Sequence, residues 1–559
     1  MKILRSFTAM LGSALMIVAC GLAAAAEPEG PPQTELTPPR LSFIEGQASF
    51  WRPGAEDWVP AQINTPLWPG DALYTDQRAN LEIQVGARAF VRLAEKTQLS
   101  LVNLESDLLQ LQLTSGEASL DLRALPAGQT VELDTPGAVF TIEQPGYYRA
   151  AIQGDATHFT TRRGGRATIT TASGQSNNVA PSEEVVVKGS DAPTAETYVA
   201  PQTDAWDRWN YGRTDHEVEA LSARYVPPEV YGAGALDQYG SWRVVPTYGT
   251  VWVPQRVAPG WAPYTTGSWT WDRFYGWTWV DSSPWGWAPY HYGRWVFVNG
   301  VWGWAPGPVI ARPVYSPALV AFFGLGSGAS LRVGIGQSGV GWVPLGWGEP
   351  VRPWWGRPGY VGVPSWHGWG GPRVVNNVVV NQTTVVNVNN IVYQNTRVNN
   401  AVVAVNESRF GRGPVHGARF ASLQPNEIEP VQGALPVKPG PASLVPGSGK
   451  AIRPPERTLS RPVVATRAPA EVRLPWHGEG ERARPAGVAP APRIVAPTKP
   501  GDASAALPRP SFAPSGSERP RPPSPQRFED MKRSPTTPAR ESGRDGRGES
   551  GPRAAATPG

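Results

Sequence analysis

The chain has 559 residues, and 61 Gly with 61 Pro put about a fifth of it in residues that interrupt regular structure, which excludes a mainly long-helical protein. With 40% hydrophobic and 10% aromatic residues it holds enough apolar material for real cores, so disorder of the whole chain is excluded as well. The net charge of +5 is unevenly placed: residues 421–559 carry about +8 and the remainder about −3, a balance that suits anionic envelope polymers or lipid head groups better than nucleic acid.

Residues 1–26 read as a secretory signal peptide. Lys2 and Arg5 give a positive start, Phe7 to Leu22 is apolar, and Ala24-Ala25-Ala26 before Glu27 offers small residues for cleavage. An exported protein of the periplasm or cell envelope is therefore expected. The apolar run is too short for a bilayer span of roughly 20 residues, so no transmembrane helix is expected in the mature chain. Cys20 is the only cysteine, which excludes a disulfide pair and a cysteine-based zinc site. Its setting, Ile17-Val18-Ala19-Cys20, is similar to the lipobox of bacterial lipoproteins, where the cysteine carries the anchor. Two readings stay open: lipidation at Cys20, or cleavage after Ala26 of a signal peptide that contains it.

Residues 27–40 form a Pro-rich linker. From Leu41 the pattern changes to short alternating runs such as Leu81-Glu82-Ile83-Gln84-Val85 and Leu109-Gln110-Leu111-Gln112-Leu113, where period two puts one face on a core. Turn residues recur about every ten positions, among them Pro69-Gly70-Asp71, Ser115-Gly116, Pro136-Gly137 and Gly164-Gly165. This spacing predicts an all-β domain over 41–190.

The residues of this domain resemble the FecR-like periplasmic domain of ferric-citrate-type signalling proteins. The resemblance is carried by Gly70-Asp71-Ala72-Leu73-Tyr74-Thr75, Arg78-Ala79-Asn80-Leu81-Glu82-Ile83, Leu113-Thr114-Ser115-Gly116-Glu117-Ala118 and the run from Val131 through Thr135-Pro136-Gly137-Ala138, over about a quarter of the chain. The pattern departs from the family at Pro145-Gly146-Tyr147-Tyr148-Arg149, which stands in place of an Arg-Gly-Thr type turn. The resemblance implies a β-rich module that works by protein contact, with no cofactor and no catalysis. In signalling members a cytoplasmic anti-sigma tail and a membrane helix come first. A signal peptide occupies that position here, so the contact-making role carries over and iron-linked transcription control does not.

Residues 191–224 form a connector with one or two short helices, Asp204 being the N-cap candidate. A tryptophan-rich β-repeat follows over 225–310. Gly240-Ser241-Trp242, Gly267-Ser268-Trp269 and Gly293-Arg294-Trp295 recur at spacings of 27 and 26, each followed by a turn feeding a strand and by a return loop such as Trp261-Ala262-Pro263-Tyr264. On one reading the rings are the core that such short strands otherwise lack. On the other, some stay exposed and stack on sugars or hold a quaternary ammonium, the contact candidates being Trp242, Trp252, Trp269, Trp279, Trp287, Trp295, Trp304, Tyr264 and Tyr290. The block looks like the Trp-rich domain that follows FecR-like domains in uncharacterised exported proteobacterial proteins. A Gly/Trp- and Val/Asn-rich β extension occupies 311–420, and a Pro/Arg-rich tail expected to be disordered occupies 421–559.

The six histidines are scattered singly, and no nucleophile–base set, phosphate loop or dinucleotide-binding glycine pattern is present. No metal, cofactor or catalytic residue is assigned. The expected function is a non-enzymatic envelope scaffold or protein-interaction protein with a FecR-like domain. The alternatives are a peptidoglycan or polysaccharide binder using exposed Trp, and an envelope signalling component related to FecR-type regulators.

Overall fold

A computed structural model describes residues 37–189, 193–307, 315–324, 339–349, 393–415 and 437–469, with short pieces between and after them. Residues 1–36, which include the expected signal peptide and Cys20, and the tail beyond Pro469 apart from 492–495, lie outside the described residues. The molecule is mostly strand with few helices, an all-β fold as expected.

The first module contains β1 (Arg40–Glu45), β2 (Ala48–Trp51), β3 (Val59–Pro60), β4 (Ala72–Thr75), β5 (Asn80–Gly86), β6 (Ala89–Leu93), β7 (Gln98–Leu104) and β8 (Leu108–Leu122). It continues with β9 (Thr130–Asp134), β10 (Ala138–Ile142), β11 (Gly146–Gln153), β12 (Ala156–Arg162), β13 (Ala167–Thr171), β14 (Ser176–Val179), β15 (Glu183–Lys188) and β16 (Thr194–Val199). One sheet runs β1-β5-β6-β8-β11-β12-β15-β16 and the other β3-β2-β4-β7-β8-β9-β10-β13-β14, so the 15-residue β8 belongs to both. Its first half pairs with β7 and, in parallel, with β9; its second half pairs with β6 and β11. The change of sheet falls at Gly116, whose φ of +78° is left-handed and where a Cβ would sit 2.5 Å from the Thr97 Cα. Leu81, Ile83, Leu109, Leu111, Leu133 and Phe140 fill the space between the sheets.

Alternation alone predicts that the polar residues of these strands face water. They do not: Glu82, Gln84, Gln110, Gln112, Glu132 and Asp134 are all buried. Helix α1 (Ala205–Val218) covers one outer face. It starts at Asp204, whose side chain accepts from the Asp207 amide while Asp207 returns the bond. The face it buries is polar, Asp207, Asn210 and Thr214, while Trp206 and Trp209 are half-buried, Trp206 donating to the Ser119 hydroxyl.

The other outer face is covered by residues 441–469, a stretch that composition assigned to a coreless tail. Leu444 and Val445 enter the core of the first module, helix α4 (Glu456–Leu459) follows, and β30 (Val463–Ala465) lies on β9 and β10 through a bridge between Thr135 and Val464. We call this stretch the strap. Its partners are about 310 to 400 residues away: the Ser49 hydroxyl donates to the Ile452 carbonyl and Arg52 to the Leu444 carbonyl. A local count of Pro and Ala cannot see a core supplied from so far along the chain. A short β31 (Arg493–Val495) pairs with β30.

The second module begins with α2 (Ala233–Tyr239) and carries three hairpins: β17 (Gly240–Val245) with β18 (Gly249–Pro254), β19 (Gly267–Asp272) with β20 (Gly276–Asp281), and β21 (Arg294–Val298) with β22 (Val301–Ala305). A helical turn, α3 (Ala288–His291), precedes the third. The first and third hairpins join as β17-β18-β22-β21. A further sheet runs β23 (Val320–Gly324), β24 (Gly339–Pro344), β28 (Val402–Asn406) and β29 (Ala418–Phe420). The Val/Asn-rich segment forms a separate meander of β25 (Arg373–Val375), β26 (Val378–Asn381) and β27 (Thr384–Asn387).

Candidate functional site

Each 26- or 27-residue repeat is one hairpin with a Trp pair across it: Trp242 opposite Trp252, Trp269 opposite Trp279, and Trp295 opposite Trp304. The glycine that opens each repeat lies diagonally under the partner strand's ring. A Cβ would come within 2.3 Å of the Trp252 ring at Gly240, 2.6 Å of the Trp279 ring at Gly267 and 2.5 Å of the Trp304 Nε1 at Gly293. The repeated Gly-x-Trp is thus a packing rule: the missing side chain makes room for an indole two residues along on the neighbouring strand. In the third hairpin the turn is Asn299-Gly300, both with positive φ, the geometry of a two-residue type I′ loop.

Of the nine contact candidates, eight are core. Trp252, Trp269, Trp279, Trp287, Trp295, Trp304, Tyr264 and Tyr290 are each at most 1% exposed. They pack against one another and against rings the repeat pattern did not single out, Trp269 meeting Trp342 edge-on at 5.6 Å and stacking on Phe410 at 5.7 Å. Indole N–H groups donate inward, from Trp252 to the Leu236 carbonyl and from Trp304 to the Tyr292 carbonyl. Only Trp242 is half-buried; its N–H donates to the Ser222 hydroxyl and its ring lies 4.6 Å from that of Tyr225. The nine residues form a core with one ring at its margin, not a row of rings along a groove. A cleft of about 170 Å³ over Trp269, edged by Arg409, Arg412 and Ser448, falls below the roughly 300 Å³ at which small-molecule sites begin.

The two modules meet through buried polar groups. Arg40 is 2% exposed, donates to Gln84 and Asn64, and lies 5.6 Å from the Trp287 ring. Asn64 in turn donates to the carbonyls of Asp281 and Ser283. The Trp68 ring of the first module lies against that of Phe274, centroids 4.4 Å apart, and the Arg52–Asp71 ion pair is buried close by. These residues are legible in sequence only as strand and turn positions, because what selects them is the neighbouring module.

Charge holds α1 to its sheet. Glu82 accepts from Arg92 at 2.8 Å and from Arg213 at 2.7 Å, and Arg92 also donates to the Asn210 carbonyl. Burial pushes the Glu82 carboxyl up, but the two guanidinium groups facing it outweigh burial and bring it down to about 2. Tyr147 donates to Asp207, and Arg149 bridges Asp204, Asp207 and Glu117.

In the second module burial wins instead. Asp281 and Glu349 are each raised to about 7 by desolvation, against hydrogen bonds from the Ser283 amide and from the Gly346 and Gln394 amides respectively. His291 is lowered to about 3 by burial, and its Nδ1–H donates to the Ser316 carbonyl, a structural role. Among the described residues no three His, Cys, Asp or Glu side chains group as metal ligands, and no helix is long and apolar enough to cross a membrane.

What remains open at the surface is the β16 end of the first sheet. All six residues of β16 are exposed, Val199 at 86%, and β16 pairs only with β15 among the described residues.

Residues 233–349 match a family of unknown function (DUF6600), which covers the three hairpins and the strands after them. No curated protein matches the chain. Among solved structures, two crystal structures of a protein titled a "putative anti-sigma factor" from Parabacteroides distasonis ATCC 8503 are similar, each at 14% identity and a TM-score of 0.21. The similarity covers 23% of this chain and 59% of that one, less than two thirds of its length. The chain therefore carries a domain similar to a family whose function is unassigned, on the module where its tryptophans form the core.

Proposed function

We propose that the protein is a non-enzymatic scaffold of the cell envelope whose FecR-like module recruits a partner protein by strand addition at β16. The observation that carries this is the state of β16: a terminal strand whose side chains are exposed on both faces and whose outer edge has no described partner. Such edges pair with other chains unless they are blunted. The Trp core supports the reading by rigidity. Its rings pack on one another, and Trp287 lies against Arg40 of β1, so the second module braces the far end of the sheet that ends in β16. Export rests on the sequence signal at 1–26.

Photo-cross-linking residues at Ala195, Thr197 and Val199 should each trap the same envelope protein in cells. A cross-linker at Gln175, on an exposed turn, should not. Lysine substitutions at Thr197 and Val199 should abolish the adduct. Absence of any shared adduct, with the chain retained on cell-wall glycan instead, would replace this reading with the polysaccharide one.

That second reading keeps one foothold, the half-exposed Trp242 beside Tyr225. Quenching by glycan fragments should then disappear in Trp242→Ala. Trp269→Ala and Trp295→Ala remove buried rings and should lower stability by about 3–5 kcal/mol whatever the ligand.

A further inference from the structure

Beneath the strap, the outer face of the second sheet holds a row of buried oxygen atoms without enough donors. Asn103, Gln110 and Glu132 stand side by side on β7, β8 and β9, and Gln112 and Asp134 form the next row. Asn103, Gln110, Glu132 and Asp134 are 3%, 0%, 3% and 1% exposed. Gln110 uses its amide nitrogen on Asp134 Oδ2 and accepts from the Asn103 amide; the Thr466 hydroxyl of the strap donates to Glu132 Oε1.

Three acceptors are then left buried and unpartnered: Glu132 Oε2, Asp134 Oδ1 and Asn103 Oδ1. Neither carboxylate forms an ion pair among the described residues, and the nearest cationic group acting on Glu132 is Arg467, an exposed strap residue. The contrast within the module is sharp, since the buried carboxylates Glu82 and Asp71 on the other faces each hold a bidentate or doubled arginine contact. Burial holds both Glu132 and Asp134 above the ordinary carboxylate range, and their mutual repulsion adds to the rise at Asp134. The strap brings more oxygen to the same place. The carbonyls of Arg467 and Ala468 face the row, accepting from Gln110 and Asn103.

We propose that Glu132, Asp134 and Asn103, closed over by the Thr466 hydroxyl and the Arg467 carbonyl, form a calcium site that fastens the strap to the first module. Two carboxylates, an amide oxygen, a hydroxyl and backbone carbonyls are hard oxygen ligands of the kind calcium collects from six to eight positions in flexible geometry. Soft and nitrogen-preferring metals find no ligand there. The ion supplies the positive charge that arginine supplies elsewhere in the module, and because its ligands come from both sheet and strap, binding and strap closure are one equilibrium.

The test uses the full mature chain, stripped with a chelator and then titrated with calcium at constant pH and ionic strength. Two readouts are taken: heat of binding, and the rate of tryptic cleavage after Arg457 and Arg467 of the strap. At calcium about 100 times its dissociation constant, the open population of the strap should fall about a hundredfold, and cleavage with it. The Glu132→Gln, Asp134→Asn double variant keeps the shape and removes the charge. It should fold, bind no calcium at this site and show cleavage that calcium does not change. Magnesium, which demands smaller and stricter octahedral geometry, should protect less. The proposal is overturned if the wild-type chain, folded by circular dichroism, neither binds calcium nor gains protection. It is equally overturned if the double variant responds as the wild type does, which would place any calcium elsewhere.

Discussion

Gly240 and Gly249 stand nine residues apart in one hairpin and are glycine for different reasons. At Gly240 a methyl group would meet the Trp252 ring at 2.3 Å; at Gly249 nothing lies within 4 Å and only the φ of +73° matters. Gly249→Ala should therefore cost about 1 kcal/mol, the backbone penalty alone. Gly240→Ala must displace a fully buried indole and should cost about 1–3 kcal/mol, with a loss of near-ultraviolet tryptophan dichroism that Gly249→Ala does not show. Chemical denaturation of the two variants measures the difference. The repeat was visible in the sequence because this rule is local: a ring and its glycine are separated by a fixed hairpin. Whether a ring faces solvent is not local, and Trp242 and Trp269 occupy equivalent repeat positions with different exposure because β17 is a terminal strand and β19 is roofed by Phe322, Trp342 and Phe410.

Among elements, α1 and the hairpin core answer differently to acid. Glu82 falls from an ordinary 4.5 to about 2 in the folded chain, so the folded state holds fewer protons between those values. Its stabilisation is complete above about pH 4.5 and is lost as pH falls through about 2. Asp281 and Glu349 rise from 3.8 and 4.5 to about 7, so the folded state holds more protons across that window. Their burial is least costly below about pH 4 and becomes more costly as pH rises through about 7. Moving from about pH 8 to about pH 5 should thus raise the exchange protection of β20, taken against the intrinsic rate at each pH, and leave that of α1 unchanged, whereas below about pH 4 the α1 amides should begin to open. The same docking predicts that Glu82→Gln, which strands Arg92 in a buried site, destabilises α1 by about 3–5 kcal/mol, read as faster exchange of its amides. The alternation of Leu81 to Val85 made the strand legible. It could not tell that Glu82 would be covered, because a polar residue opposite water and a polar residue opposite an arginine-bearing helix follow the same period of two. The helix was legible from the Asp204 cap, and its orientation was not, since its buried face is the polar one.

For the whole molecule, the strap makes residues 441–469 a structural part of the N-terminal module. Leu444 is 6% exposed and its Cδ1 lies 3.0 Å from where a Cβ would sit on Gly54. Leu444→Ala should cost about 2–5 kcal/mol. A chain ending at residue 440 loses Leu444, Val445 and β30 together, and should expose the β2 and β9 amides to exchange while the hairpin module keeps its near-ultraviolet spectrum. The all-β architecture and the hairpin repeat followed from period-two alternation, evenly spaced turns and Gly-x-Trp spacing. The strap did not, because a Pro-rich stretch with scattered Leu and Val has no periodicity of its own and takes its structure from a surface built 300 or more residues earlier.

Those separations also bear on time. The Ser49–Ile452, Asp57–Arg453 and Asn103–Ala468 bonds close loops of 403, 396 and 365 residues. A chain emerging from the ribosome or through a translocation pore can build the sandwich strands early, but it leaves one outer face unroofed until residue 469 has followed. Contacts of such span are slow to form, and in the interval the unroofed face and its bare strands are available to chaperones or to a neighbouring chain.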